Sequence, residues 1–130
     1  MASSGQFGER LAERYLRRRG WRILHRNWRG GGGELDIVAL RRGLVAFVEV
    51  KAREDAGALD DPIRAAQRDR LIRAATAYLA RHPALAEADA RFDVITVMVD
   101  GSGGRVTHRQ GAFHVPDAAA PSASNRRRSV

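Results

Sequence analysis

The sequence predicts an α/β domain, a mixed sheet of about five strands flanked by helices in the order α-β-β-β-α-β-β. Three observations carry this. Two segments repeat apolar residues at helical spacing: Phe7, Leu11 and Tyr15, then Ile63, Leu71, Ala74 and Tyr78. The intervening and following segments are rich in β-branched residues, and residues 44–48 are apolar on both pleat faces, as in a strand buried mid-sheet. Glycine and proline breaks separate these elements.

The first helix is expected over residues 4–19, opened by a Ser3/Gln6 capping box and stopped by Gly20. Residues 21–28 read as a strand ended by the glycine run at 30–33. Residues 34–40 and 44–52 form a hairpin around Arg41-Arg42-Gly43. After a loop, Asp61-Pro62 supplies an N-cap and a proline at the first helical position, and the second helix stops by Pro83. Residues 91–99 are a fourth strand, and the turn at 100–104 leads to a short fifth near Val106. From Pro116 the chain is too poor in large apolar residues to order itself, which divides it into a domain at 1–115 and a flexible basic tail at 116–130.

With 44% apolar and 29% charged residues, and no apolar run near the ~20 residues of a membrane span, the composition is that of a water-exposed domain. The N-terminus lacks the layout of a secretory signal, which predicts the cytoplasm. Without cysteine there are no disulfides or thiolate zinc sites, and the four histidines lack ligand spacing; any metal must be a hard ion held by carboxylates. A net charge of +8 makes a polyanion, nucleic acid first, the expected partner.

The chain holds one lysine among its 23 basic residues, Lys51 in the stretch FVEVKAR at 47–53. Period-two geometry sets it on the pleat face of Glu49. In the simplest hairpin register, closing on Arg42-Gly43, paired positions sum to 85 and Asp36 faces Glu49. Two facing carboxylates repel unless a cation or proton intervenes. Mg²⁺ or Mn²⁺ would resolve the conflict, because such ions take one or two carboxylates and share the remaining shell with water and phosphate. A compact ammonium beside them can exchange a proton or offset phosphate charge, which a guanidinium cannot do as well. A salt bridge between Glu49 and Lys51 is the plainer alternative.

Gly33-Glu34-Leu35-Asp36-Ile37-Val38 followed by FVEVKAR resembles the PD-(D/E)XK nuclease signature, in the form found in the YraN-like family of bacterial proteins, distant relatives of Holliday junction resolvases. Gly8-Glu9, Asn27-Trp28-Arg29, Tyr78-Leu79, Arg91-Phe92-Asp93-Val94 and Gly111-Ala112-Phe113 extend the resemblance over most of the chain. It implies a restriction-endonuclease-like sheet, metal binding by Asp36, Glu49 and the Val50 carbonyl, Lys51 as the catalytic lysine, and Glu9 as an added acid. Glu34 is placed to assist. Gln67, an amide within an apolar helix stripe, either reaches the site or bonds to backbone. Arg29 and Arg53 are candidate nucleic-acid contacts. Trp21 and Trp28 read as core rather than as base-stacking groups, and His108 and His114 show no partner in the sequence.

The implied activity is metal-dependent hydrolysis of DNA phosphodiesters, on branched or junction DNA by analogy, and symmetric cutting would imply a homodimer. Two other classes remain open at this point: a nucleic-acid-binding module without turnover, and a structural protein whose polar cluster is an ion network.

Overall fold

The computed structural model describes residues 4–53, 64–100 and 103–113. Its elements are α1 (Ser4–Arg18), β1 (Arg22–Gly30), β2 (Gly33–Arg41), β3 (Leu44–Arg53), α2 (Ala65–Ala80), β4 (Asp89–Asp100) and β5 (Gly103–Phe113), with one 3-10 turn at Pro83–Leu85. The five strands form one sheet in sequential order; β3 and β4 pair in parallel and every other pair is antiparallel. This is the expected α/β class and element order. Ser3, Asp61, Pro62, Ile63, His114 and the 116–130 tail lie outside the described residues; α2 itself begins at Ala65 behind an extended Arg64, so Asp61-Pro62 does not cap it as expected.

One helix covers each face of the sheet. Ala12 and Leu16 of α1 pack with Ile37, Ala39, Ala46, Val48, Ile95 and Val97. On the other face Leu71, Ala74, Ala75 and Tyr78 of α2 pack with Leu35, Val38, Val45, Phe47 and Phe92. Alternate residues of β3 serve the two cores, and Val45 through Val48 are at most 2% exposed. A strand with both faces covered must be apolar at every position, which is why residues 44–48 show no alternation. Trp21 is buried and Trp28 half-buried, its ring edge-on to Tyr78 at 5.1 Å, so both serve the core.

The glycine run does more than end a strand. Gly30 pairs with Gly33, and Gly31-Gly32 form a two-residue turn at φ +63° and +85°, so β1 and β2 are a hairpin. A Cβ on Gly33 would lie 2.5 Å from the carbonyl oxygen of Arg70, a backbone atom of α2 that cannot swing aside. The run therefore lets α2 sit directly on the hairpin end.

The β2–β3 hairpin closes on Arg42-Gly43, with Arg41 opposite Leu44 and Ile37 opposite Val48, the expected register. Arg42 adopts φ +51°, where asparagine fits and most side chains are strained. Arg42→Asn should raise stability by up to about 1 kcal/mol in urea denaturation, with no change in the slope against denaturant.

β5 departs most from expectation, at 11 residues. It is an edge strand whose middle is polar and largely exposed, so its sequence carries no apolar alternation to mark its extent. Among the described residues, no helix is long and apolar enough to cross a membrane.

Candidate functional site

The site lies where β2 and β3 part. Their ladder ends at Ile37–Val48, whereas β3 continues beside β4 to Arg53. Past the end of the ladder the Val50 N–H would lack a strand partner, and the Asp36 side chain takes that role, Oδ2 accepting from Val50 N at 2.8 Å. Pleat alternation breaks at the same place. Leu35 belongs to the α2 core and Ile37 to the α1 core, although two residues apart on a strand should share a face. Asn27, between the pairs Arg26–Ile37 and Trp28–Leu35, has φ +52° and switches β1 in the same way. Asp36 thus stands at the mouth of a fork rather than within a regular ladder.

Glu49 and Lys51 continue the β3 alternation of Val45 and Phe47 and therefore face α2. From α2, Gln67 Nε2 donates to Glu49 Oε2 at 2.6 Å. This decides between the alternatives for Gln67 as geometry: the amide inside the apolar stripe reaches the acid cluster, not backbone.

Asp36 and Glu49 lie close enough for each to act on the other's ionisation, raising Glu49 and restraining Asp36. Burial pushes Glu49 upward, the Asp36 charge adds to it, and its carboxyl stands at about 8 despite the opposing pull of Lys51 and Gln67. Burial also raises Asp36, with the Val50 N–H, Glu49 and Lys51 restraining it. Among the described residues Lys51 makes no ion pair within 4 Å, yet its charge acts on both acids. The plain Glu49–Lys51 salt bridge does not form.

Glu9 joins the cluster from α1. Its carboxyl is raised by burial first and by the nearby Asp36 charge second, while a hydrogen bond with Asn27 works the other way. Gly8 seats this turn of the helix: a Cβ there would be 3.3 Å from the Ala52 Cβ. Asn27 is a member of the cluster to which the sequence assigns no role beyond its place in the Asn27-Trp28-Arg29 motif. Its one signal is its residue type, since asparagine is the non-glycine residue that best tolerates positive φ.

The remaining candidates lie further out. Glu34 is exposed and pairs with Arg29, Oε2 to Nε at 3.4 Å, but its charge still acts on Asp36 and Glu9. Arg29, with its side chain 81% exposed, is on the rim. Arg53 is half-buried and donates to the Ala52 carbonyl at 3.1 Å. Among the described residues no three His, Asp or Glu side chains form a group that could hold a metal ion.

A second polar network, which the sequence does not signal, buries Asp93 at 1% exposure beneath α1. Arg91 donates to both its oxygens at 2.8 and 2.9 Å, Gly111 N–H at 3.0 Å, and His108 Nε2 at 2.7 Å. A carboxylate only accepts, so Nε2 carries a proton, and His108 Nδ1 is joined to the Tyr15 hydroxyl at 3.1 Å. Burial alone would raise Asp93, but these hydrogen bonds outweigh it and hold the carboxyl below its ordinary value. His108 therefore has two partners, and through Tyr15 the network ties α1, the helix that carries Glu9, to β4 and β5.

Fold and cluster together define a class: α/β domains of one five-stranded mixed sheet, with an acid pair and a lysine at the fork beside the central strand. Residues 8–97 match the model of the Uncharacterised protein family UPF0102. The chain belongs to that family, the YraN-like family its motifs resemble. It is 44% identical over 115 residues to the UPF0102 protein of Syntrophotalea carbinolica, covering 87% of this chain and 93% of the relative. A UPF0102 protein of Synechococcus sp. (strain JA-3-3Ab) is 45% identical over 100 residues, 75% and 76% of the two chains. That of Myxococcus xanthus is 43% identical over 111 residues, 84% and 87%.

Proposed function

We propose that this protein is a divalent-cation-dependent endonuclease that hydrolyses DNA phosphodiesters, with branched or junction DNA as the substrate class and a homodimer as the working form. The observation that carries the reading is the mutual electrostatic influence of Asp36 and Glu49, on which the chain's one lysine also acts. Two neighbouring acids that raise each other's cost of ionising form a donor set that a hard cation fits, because the ion can relieve their repulsion. Having only two carboxylates suits such an ion, which leaves the rest of its shell to the Val50 carbonyl, water and substrate phosphate. Mg²⁺ or Mn²⁺ held there supplies a Lewis acid beside the scissile phosphate.

The chain's own residues do the rest. Gln67 fixes one oxygen of Glu49, and the Val50 N–H fixes one of Asp36, so both carboxylates are oriented before substrate arrives. Lys51 presents an ammonium on the same face, able to orient water or to offset charge building on the phosphate. Glu9, whose raised carboxyl lies within electrostatic reach of Asp36, can hold a proton at the edge of the cluster. Arg29 and Arg53 flank the fork as phosphate contacts.

The test is incubation with junction, flapped and linear DNA in Mg²⁺ or Mn²⁺, beside Lys51→Ala and Asp36→Asn. The wild type should cut, and both substitutions should abolish cutting. DNA bound but never cut under any cation would replace the enzyme with a binding module on the same fold; neither binding nor cutting would leave the cluster a structural ion network.

A further inference from the structure

The outward face of α1 carries Arg10, Arg14, Arg17 and Arg18, a spacing that aligns side chains along one side of a helix. With Glu13 and with Arg26 of β1 they line an open groove. The groove's one acid is used internally. One Glu13 oxygen accepts from Arg17 Nε at 2.9 Å and the other lies 3.3 Å from Arg26 Nη1. The Glu13 side chain is 15% exposed, while those of Arg17 and Arg26 are 57% and 60% exposed. Glu13 thus forms the floor and holds two guanidinium groups outward. Arg10, Arg14 and Arg18 make no ion pair among the described residues.

A merely solvated helix face is the plain explanation, and two features count against it. Such a face ordinarily intersperses acids at i, i+4, whereas Arg10–Arg14 and Arg14–Arg18 are like-charge pairs at that spacing, each costing the helix a few tenths of a kcal/mol. The groove also includes chain neighbours of the acid cluster, since Arg10 follows Glu9 in α1 and Arg26 precedes Asn27 in β1. Its length suits a repeating anion rather than a single one, because positions 10 to 18 span about 12 Å of helix.

We infer that this groove is a track for a nucleic-acid backbone, holding consecutive phosphates of a DNA duplex arm that adjoins the bond placed at Asp36 and Glu49. The inference rests on the nuclease reading for its position but not for its binding chemistry. Arginine suits it, because a guanidinium presents a fork of donors to phosphate oxygens and stays charged at any working pH.

The experiment uses the full chain carrying Asp36→Asn, in chelator, with a labelled DNA duplex titrated from about 50 to 200 mM salt. Adding Arg14→Gln and Arg18→Gln should weaken binding and reduce the log–log salt slope by about 2, close to 0.9 for each phosphate no longer neutralised. The same number of substitutions at Arg22 and Arg42, exposed arginines of a second basic surface that lies past the end of α1 at the β2–β3 turn, should leave the slope within error. An unchanged slope, an equal loss in the control pair, or no duplex binding at all overturns the track. Equal loss of binding to anionic lipid vesicles would reassign the groove to a membrane surface and overturn it too. The two readings separate: a slope that falls while the wild type cuts no DNA sinks the nuclease and keeps the track, and cleavage with an unmoved slope does the reverse.

Discussion

In chelator the protein should lose stability as pH rises from about 4.5 to about 8, and Glu49→Gln should remove most of that loss. The sign follows from proton counting. Glu49 ionises near 4.5 in the unfolded chain but only near 8 in the folded one, so between these values the folded state holds the extra proton. Stability therefore is full below the lower value and declines as pH climbs to the upper one. Asp36, also raised, pushes the same way. Each proton contributes a slope of up to about 1.4 kcal/mol per pH unit, and with a half-buried site open to water the total is on the order of 2–3 kcal/mol. Glutamine keeps the shape of the protonated acid and cannot ionise. Urea denaturation of both proteins from pH 5 to 8.5 checks this: the wild-type curve should fall and the variant's should run nearly flat. Parallel curves would show that the two carboxylates are not pressed together.

Asp93→Ala should be the most damaging single substitution outside the two apolar cores, at about 3–5 kcal/mol. The cost comes less from the hydrogen bonds removed than from what stays behind. Arg91, His108 and the Gly111 N–H would all be left pointing at an empty, dry pocket. Denaturant midpoints measure the loss, and a change below about 1 kcal/mol would mean that the network is incidental to the fold. The pH dependence here is opposite to that of Glu49. A depressed carboxyl stabilises above its ordinary value of 3.8 and loses that contribution as pH falls through the lowered one, so Asp93 bears on acid denaturation. Tyr15→Phe leaves the Asp93–His108 contact in place and removes only the link to α1.

Several parts of this architecture are local in sequence and legible for that reason. The Arg42-Gly43 turn fixes which residues of β2 and β3 face each other as far as Ile37–Val48, so counting carries Asp36 and Glu49 to the end of that ladder. Gln67 stands out because an amide interrupts an apolar helix face, although only the folded chain shows that it meets Glu49. The Tyr15–His108–Asp93 chain is not legible. Its members are separated by up to 93 residues, and nothing in the neighbourhood of His108 signals a buried acid. The extent of β5 is hidden for another reason: an edge strand with a wet face need not alternate. Asn27 passes for an ordinary strand residue, because a left-handed residue inside a ladder leaves no periodic trace.

The Arg42-Gly43 turn has a reach beyond its own end of the sheet. Strand pairing is an addition rule, so the turn sets which residue of β2 meets each residue of β3 all the way to the fork. Asp36 and Glu49 lie about six residues up each strand, roughly 20 Å away, yet their meeting is gauged there. One residue added to the turn would carry every β2 side chain to the wrong partner and separate the acids without touching either. For the chemistry at the fork, the least forgiving length in the protein is that of a surface loop at the opposite end of the molecule.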